Sequence, residues 1–280
     1  MQNNDITVIE AKRGLFTFNL KELWKYRDLT LLFVKRDIKN TYKQTVLGPL
    51  WIAINPLLST SVFTIIFGVI AGISTEGIPQ FLFYMSGNIL WTFFSNCLNK
   101  GAGTFLSNAR VFGKVYFPRM SVPVSGIIFH LISFMIQWAL FVILMLIYLF
   151  TGAPVRPNLY IALTPVLVLQ SGLLGMGIGL IISSITTKYR DLNILVSFGV
   201  SLLMYITPVV YPISQVPESF RWAMLINPVA PIVEGYRYAF LGCGSFHWIP
   251  WFISLGVTAL IVFFGVVVFN KVERTFIDTV

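Results

Sequence analysis

Charged side chains are scarce in this 280-residue chain, in which Asp, Glu, Lys and Arg together make up 11% of the residues. Between Lys43 and Lys271, six stretches of 23 to 36 residues contain none of the four. A helix of about 20 apolar residues crosses the roughly 30 Å hydrocarbon core of a bilayer. No soluble fold explains six such stretches in succession. The scarcity of charge therefore predicts an all-α polytopic membrane protein with six transmembrane helices.

The basic residues are distributed unevenly between the two sides of the predicted membrane domain. The predicted spans are residues 51–73, 80–99, 121–150, 160–185, 192–211 and 248–269. If the N-terminus is inside, 17 of the 20 Lys and Arg residues are internal and three are external. Because cytoplasmic loops are enriched in Lys and Arg, we predict that both termini are cytoplasmic. The net charge of +9 then reflects topology and requires no nucleic-acid partner.

The predicted organisation has three parts along the chain. They are a cytoplasmic N-terminal region at residues 1–50, a transmembrane domain at 51–270 and a cytoplasmic tail at 271–280. The first 50 residues are too charged for a signal peptide.

Only two cysteines are present, so at most one disulfide can form within the chain. Cys97 lies near the inner end of the second predicted span, and Cys243 lies near the outer face. A disulfide requires Cα atoms less than about 7 Å apart. We therefore predict that both cysteines are free.

Groups that would power transport are missing from the chain. No predicted span has a charged residue near its middle, whereas carriers driven by ion gradients usually need intramembrane carboxylates or an equivalent site. The Gly113-Lys114 pair is followed by Val115 and lacks the upstream glycine of a phosphate-binding loop. We therefore predict a separate ATPase as partner, which supplies ATP and Mg²⁺ binding. The chain itself is expected to bind no metal or cofactor.

Residues 19–46 have the pattern of an amphipathic basic helix, which begins with a capping-box pair at Asn19 and Glu22. Its apolar residues at helical spacing are Leu31, Val34, Ile38 and Tyr42. Its opposite side carries the basic residues Lys35, Arg36, Lys39 and Lys43. Such helices lie along a membrane surface with their bases among lipid phosphates. We predict a cytoplasmic interface helix whose bases contact an anionic lipid-linked substrate; the alternative is a juxtamembrane helix that only fixes topology.

Two cytoplasmic segments are candidate contacts for the ATPase. Residues 100–120 include Arg110 and Lys114, and they are predicted to form a short coupling helix before the stop at Phe117-Pro118. The second cytoplasmic turn contributes Arg190 and Asp191.

Residues 213–244, which we call the outer segment, are predicted to be external and yet are too apolar for an ordinary loop. Its prolines predict two short helices near 217–226 and 230–241. We expect both to re-enter the outer leaflet or to close a cavity on the periplasmic side. The candidate gate residues are Phe220, Arg221, Trp222, Glu234 and Arg237. Glu234 and Arg237 are three residues apart and can pair on one helical face. A plain surface hairpin is the alternative.

Uncharged polar and small residues are aligned within three predicted spans. The second span has Asn88, Thr92, Ser95 and Asn99, and the fifth has Asn193, Ser197, Ser201 and Tyr205. Such stripes face other helices or water and avoid lipid tails. The fourth span has Ser171, Gly175, Gly179 and Ser183, a ridge that is predicted to let a neighbouring backbone approach closely.

Several motifs resemble permeases of ABC-type polysaccharide exporters. They are VKRDIKNTYKQTVLGPLW at residues 34–51, YRDL at 189–192, TPVVYP at 207–212, and NP at 227–228 ahead of EGYR at 234–237. The resemblance covers nearly the whole chain and is closest to the O-antigen permeases of Gram-negative bacteria, with teichoic acid and capsule permeases as siblings. It implies a homodimer in the inner membrane, bound to two nucleotide-binding subunits. It further implies export of an undecaprenyl-diphosphate-linked glycan.

This resemblance gives possible roles to two sets of residues. Arg36, Lys39 and Lys43 are the bases placed to meet the diphosphate. Sugars stack on aromatic rings, and the candidate rings for a dimer channel are Trp51, Tyr84, Trp91, Tyr205 and Tyr211. Membrane proteins also place aromatic rings at both interfaces as anchors, and this alternative stays open for each ring.

Two other classes of function remain possible from the residues alone. A membrane glycosyltransferase or phosphotransferase would use the same lipid carrier, but it usually needs paired carboxylates. The external carboxylates Glu76, Glu218 and Glu234 are widely separated in sequence. An ABC exporter of drugs or lipids shares the topology but lacks the motifs. We therefore expect a transport subunit with no catalytic residues of its own.

Overall fold

Helices form most of the structure. The computed structural model describes residues 20–43, 47–112, 117–186 and 191–279. The helices in the first half are α1 (Leu20–Lys25), α2 (Arg27–Tyr42), α3 (Trp51–Phe63), α4 (Gln80–Ala102), α5 (Thr104–Phe112) and α6 (Ser121–Phe150). Those in the second half are α7 (Thr164–Thr186), α8 (Leu192–Ile206), α9 (Arg221–Ile226), α10 (Ala230–Leu241) and α11 (Trp248–Thr279). Over these residues the predicted all-α fold is confirmed.

Four helical segments among the described residues are long and apolar enough to cross a membrane. They are Gly48–Ile70, Ser121–Phe150, Leu159–Thr186 and Trp248–Glu273. They coincide with the first, third, fourth and sixth predicted spans. The first includes α3 and a π-helical continuation at Thr64–Ile70, and the last belongs to α11, which continues beyond the predicted end at 269.

The other two predicted spans correspond to α4 and α8, and the count of six stays a prediction. Helix α4 has 23 residues, but its hydropathy is lowered by polar residues, of which Ser86 and Asn88 are covered by protein. Helix α8 has 15 residues, which at about 1.5 Å each is shorter than the hydrocarbon core. It ends at Ile206, before the predicted end at 211, because Pro208 disfavours helix at Thr207. Thr207 is indeed extended, with φ −87° and ψ 142°.

Helix α4 lies at the centre of the bundle, where it contacts α3, α6, α7, α8 and α10. Its buried side chains include Leu82, Phe83 and Phe94, none of which is exposed. The polar Asn88 is also buried, and its Nδ2 donates a hydrogen bond to Oγ of Ser59 on α3 at 2.7 Å. Because neighbouring helices cover it, α4 can carry polar residues that would be costly against lipid.

The predicted small-residue ridge of α7 faces α4 and is confirmed. A Cβ atom on Gly175 would lie 2.5 Å from the carbonyl oxygen of Phe94, and one on Gly179 would meet the carbonyl oxygen of Leu98. The two backbones therefore approach closely enough that no larger residue fits. Ser171 and Ser183 are the first and last residues of the ridge, and both are fully buried.

Cys97 and Cys243 are both free and buried, which confirms the prediction that they do not form a disulfide. Cys97 belongs to α4, and Cys243 lies two residues after the end of α10. The two thiols therefore report on different parts of the fold.

A test of the α4–α7 contact is Gly179→Ala. The added Cβ meets the backbone of α4, which cannot move aside as a flexible side chain would. Overpacking of this kind costs about 1–3 kcal/mol, so the thermal unfolding midpoint of the purified protein should fall. Gly256→Ala on α11 is the matched control, because nothing lies within 4 Å of its added Cβ. Equal midpoints for the two variants would contradict the contact.

Candidate functional site

Helix α2 contacts α6 along one face at the N-terminal side of the bundle. The buried residues of this face are Thr30, Phe33, Val34 and Asp37, an i, i+3, i+4, i+7 pattern. Leu31 is instead 49% exposed. The prediction that Leu31 and Val34 share one membrane-facing side is therefore wrong, because Val34 packs inside the protein. The position of α2 along a membrane surface stays a prediction.

Asp37 is the centre of a charged cluster that sequence reasoning missed. Its Oδ1 is 2.9 Å from Nη2 of Arg36, and its Oδ2 is 2.6 Å from Nζ of Lys100. Nη1 of Arg36 also donates to Oδ1 of Asn108 at 3.3 Å. We call Arg36, Asp37, Lys100 and Asn108 the inner cluster. It joins α2, α4 and α5. The available signal was the single acidic residue within the basic run of α2.

The three predicted diphosphate contacts are placed differently by the structure. Arg36 is half-buried and engaged with Asp37, and its guanidinium carbon lies 4.8 Å from the centroid of the Phe33 ring. Lys39 and Lys43 are exposed. Arg36 is therefore a structural part of the inner cluster, and only the two lysines are open to a ligand in this arrangement.

The predicted coupling helix corresponds to α5, which is anchored by aromatic rings. The Phe105 ring stacks on Phe269 of α11 with centroids 4.5 Å apart. Phe112 packs against Phe117 at 5.7 Å, and Phe117 packs against Phe33 of α2 at 5.4 Å. A displacement of α5 would therefore disturb its contact with α11 and, through Phe117, its contact with α2.

The predicted charged contacts for the ATPase are only partly described. Lys114 and Arg190 lie outside the described residues, as does the side chain of Arg110, whose backbone belongs to α5. Asp191 is exposed directly before α8.

The five candidate channel rings fall into two groups. Tyr84 and Trp91 are buried within the core of the single chain, at 0% and 5% exposure. Their burial argues against the predicted channel role, because a ring covered by its own chain cannot line a surface between protomers. Trp51 and Tyr205 are exposed. Tyr211 is partly exposed, and its hydroxyl donates to the carbonyl oxygen of Tyr205 at 3.0 Å.

Helix α8 presents a polar stripe on the outside of the single chain. Ser197, Ser201 and Tyr205 recur at every fourth residue and are all exposed. Helix α3 exposes Trp51 and Asn55 at the same spacing. Both helices contact the central α4. In a membrane domain, exposed polar residues of this kind face water or another protein chain.

Two short helices form in the outer segment, as predicted: α9 after a 3₁₀ turn at Glu218–Phe220, and α10. Val229 and the buried Asn227 lie between them, and the Oδ1 of Asn227 accepts a hydrogen bond from the N–H of Val229 at 3.0 Å. Phe220 and Trp222 are exposed, at 60% and 59%. Whether these helices re-enter a membrane stays a prediction.

Arg237 of α10 is buried against α4. Its guanidinium carbon lies 3.8 Å from the centroid of the Phe83 ring, and its Nη2 donates to the carbonyl oxygen of Val209 at 2.9 Å. A Cβ on Gly87 would lie 2.9 Å from that Nη2, so the glycine makes room for the arginine. The cation therefore fixes α10 to α4 and to the chain that leaves α8. The cation–π contact adds to this attachment.

Glu234 faces a cavity of about 510 Å³ rather than forming the predicted pair with Arg237. Within the described residues, no ion pair joins the two side chains. The cavity is lined by residues of the α3–α4 turn, the outer segment and the chain before α11, among them Glu76, Ser214, Arg221, Glu234 and His247. Burial raises the pKa of Glu234 to about 7, which Arg237 opposes and Glu76 reinforces. Its side chain therefore changes charge near neutral pH.

The structure brings Glu76 and Glu234, far apart in sequence, to one cavity. Carboxylates that share one cavity are the feature that a transferase would use. Both oxygens of Glu76, however, accept hydrogen bonds from the protein itself. The described residues also contain no group of three or more His, Cys, Asp or Glu that would hold a metal.

The long apolar helices define a multi-pass membrane protein that is built around the buried helix α4. Polar residues exposed on α3 and α8 give its membrane domain a polar surface. The chain belongs to the ABC-2 type transporter family, whose pattern its residues 28–241 match. The resemblance to ABC-type export permeases is thereby confirmed.

Individual relatives bear the names of transport permeases. The chain is 28% identical over 254 residues to the O-antigen export system permease protein RfbA of Klebsiella pneumoniae, covering 90% of this chain and 94% of that protein. It is 32% identical over 224 residues to the protein of the same name from Myxococcus xanthus, covering 79% and 83%. It is 26% identical over 226 residues to the polysialic acid transport protein KpsM of Escherichia coli, covering 80% and 82%.

The inner cluster can be tested with Asp37→Ala. Removal of the carboxylate leaves Arg36 and Lys100 without their shared anion, and hydrogen bonds to charged groups contribute about 1.5–3 kcal/mol. The thermal unfolding midpoint should fall by several degrees. Asp28→Ala on the same helix is the control, because the Asp28 side chain is 87% exposed and exposed pairs contribute little. Equal midpoints would show that the cluster does not hold α2.

The raised pKa of Glu234 predicts a pH dependence of stability. The unfolded chain releases this proton near pH 4.5 and the folded protein near pH 7, so stability is lost as pH rises from about 4.5 to 7 and then levels off. Glu234→Gln lacks this component. Thermal unfolding midpoints of both proteins between pH 4.5 and 8.5 measure it. The midpoint of the wild type should fall relative to that of the variant as the pH rises to 7. Parallel profiles would contradict the raised pKa.

Proposed function

We propose that the chain is the permease subunit of an ATP-driven ABC exporter that moves undecaprenyl-diphosphate-linked O-antigen polysaccharide across the inner membrane. The observation that carries the proposal is the similarity, over 90% of the chain, to a permease named for O-antigen export. The chain performs no covalent chemistry, and ATP and Mg²⁺ are bound by a separate subunit. Export of a capsule polymer is the second candidate, supported by the similarity to a polysialic acid transport protein. Teichoic acid export would use the same mechanism.

The working unit in this proposal is a homodimer of six-span protomers with cytoplasmic termini. Helices α4 and α8 complete the six spans, with α4 shielded from lipid by its neighbours. The polymer passes between the protomers, along the exposed polar and aromatic residues of α3 and α8. Trp51, Ser197, Ser201 and Tyr205 offer hydroxyl groups and ring faces, which suit the hydroxyl groups and apolar faces of sugars.

The diphosphate of the lipid carrier is proposed to meet α2 at the cytoplasmic surface. Lys39 and Lys43 are exposed one helical turn apart, and ammonium groups attract phosphate oxygens. Arg36 contributes indirectly, because it holds Asp37 and Asn108 and thereby fixes the helix that carries the two lysines.

Two nucleotide-binding subunits are proposed to dock at α5 and at the turn that precedes α8. Helix α5 is joined to α2 by the inner cluster and to α11 by the Phe105–Phe269 contact. Movement of a docked ATPase would therefore reach both helices through direct side-chain contacts.

Export in a strain that lacks its own permease tests the proposal. The chain, expressed with its ATPase, should restore polymer at the cell surface, measured by immunoblotting beside the membrane level of the protein. Lys39→Ala with Lys43→Ala should reduce surface polymer several-fold, because the proposed phosphate contacts are lost. The control is Lys25→Ala with Arg27→Ala, which removes two other exposed bases near the N-terminus.

Two results would contradict the proposal. Absence of surface polymer with a correctly inserted wild-type chain and an active ATPase would refute export of that polymer. Equal polymer for both double variants would remove Lys39 and Lys43 from the proposed route. The permease alone, in vesicles, is expected to show no ATP turnover until the partner is added.

A further inference from the structure

The turn between α3 and α4 holds Glu76 in an unusual backbone conformation. Within the described part of the chain, Glu76 alone of the non-glycine residues has a positive φ, at 55°. Oγ1 of Thr75 donates a hydrogen bond to the carbonyl oxygen of Ile78 at 2.6 Å. The N–H of Ile78 donates one to the carbonyl oxygen of Thr75 at 3.1 Å. Both Thr75 and Ile78 are buried. The turn is therefore fixed to the core, and the Glu76 side chain projects from a rigid base.

The Glu76 carboxylate contacts both ends of the outer segment. Its Oε1 accepts a hydrogen bond from Oγ of Ser214 at 2.6 Å. Its Oε2 accepts one from the backbone N–H of Gly244 at 2.7 Å. Ser214 precedes α9 and Gly244 follows α10. One carboxylate thus ties the beginning of the segment, its end and the α3–α4 turn together.

The backbone at this position favours glycine over glutamate. Glycine adopts positive φ without steric cost, whereas a residue with a Cβ does so unfavourably. The next residue, Gly77, also has positive φ, at 83°. The turn therefore has no conformational need for a glutamate at 76, and the contribution of this residue lies in its carboxylate. Hydrogen bonds to a carboxylate are short and are stronger than those between neutral groups.

The electrostatic surroundings also suit an anion at this place. The buried guanidinium of Arg237 is within electrostatic range of both Glu76 and Glu234. Nη2 of Arg237 itself donates a hydrogen bond at 2.9 Å to the carbonyl oxygen of Val209, four residues before the outer segment. A negative charge on Glu76 therefore balances a buried positive charge that holds α10.

We propose that Glu76 is a positioning residue that clamps both ends of the outer segment and thereby holds its first part, with α9, closed against α10, which is itself buried in the core. The consequence for polymer exit rests on the proposed function. The clamp itself does not, because it is a contact within one chain.

The native Cys243 is a reporter placed inside the clamp. It is 6% exposed and lies next to Gly244, so it should react slowly with a polar maleimide while the clamp is closed. The protein is purified in nanodiscs, where both faces are accessible, with Cys97→Ala to remove the other thiol. Glu76→Gly should raise the labelling rate of Cys243 about tenfold. Because glycine relaxes the turn, this increase cannot come from new backbone strain.

Further variants separate the clamp from general loosening. Glu76→Gln keeps the size and one acceptor oxygen, so its labelling rate should be intermediate. Ser214→Ala should raise the rate in the wild type but add nothing to Glu76→Gly, since both remove one shared contact. Glu218→Ala is the matched control, because this glutamate of the same segment is 89% exposed in its side chain, and its rate should not change.

Two outcomes would overturn the clamp: unchanged labelling in both Glu76→Gly and Glu76→Gln, or an equal increase in Glu218→Ala. Thermal midpoints of all variants establish that each is folded. The labelling needs no polymer, so its result stands apart from the export experiment. Burial and the Glu76 charge both raise the pKa of the Cys243 thiol, so the deciding variant is Ser214→Ala, which keeps that charge. Faster labelling in Ser214→Ala and in the Glu76 variants, with failed export, would leave the clamp in place and refute the transport proposal. Unchanged labelling in Ser214→Ala, with restored export, would refute the clamp alone.

Discussion

The close backbone contact between α4 and α7 is the constraint on which the rest of the bundle depends. Gly175 and Gly179 let α7 lie against the carbonyl groups of α4, and α3, α6, α8 and α10 cover the remaining sides of α4. Once α4 is enclosed, its polar residues can bond to neighbours, as Asn88 does to Ser59. The C-terminal end of the same helix supplies Lys100 to Asp37. Its N-terminal part supplies the Phe83 ring to Arg237.

The two ends of the bundle are organised by the same physical means. At each end, one carboxylate bridges segments that are distant in sequence: Asp37 joins α2, α4 and α5, and Glu76 joins the α3–α4 turn to both ends of the outer segment. Each is accompanied by a cation held against a phenylalanine ring, Arg36 over Phe33 and Arg237 over Phe83. These polar contacts add to apolar packing, because α10 is part of the main apolar core and α5 packs through Phe105 and Phe112. They fix the register of elements that the apolar contacts already hold to the bundle.

Local rules were sufficient for the helices but not for the contacts between them. The absence of charge located α6 to the residue, and Pro217, Pro228 and Pro231 divided the outer segment correctly, because both signals act within a few residues. The end of α8 was misplaced because the extended preference of Thr207 before Pro208 outweighs the apolar run. Tyr84 and Trp91 were assigned by residue type, and only their burial shows that they belong to the core. Glu76 bonds to residues 138 and 168 positions away, a separation at which sequence patterns carry no information.

The enclosure of α4 has a consequence for the order of biosynthesis. Helix α4 leaves the ribosome before α6 and α7, so its polar residues are made before the helices that later cover them exist. Asn88 finds Ser59 on the preceding helix, but the backbone of α4 stays uncovered until Gly175 and Gly179 arrive. A chain interrupted before residue 164 therefore leaves α4 incompletely covered by protein. Completion of α7 covers the face of α4 that has the closest backbone contact, and α8 and α10 cover its remaining sides afterwards.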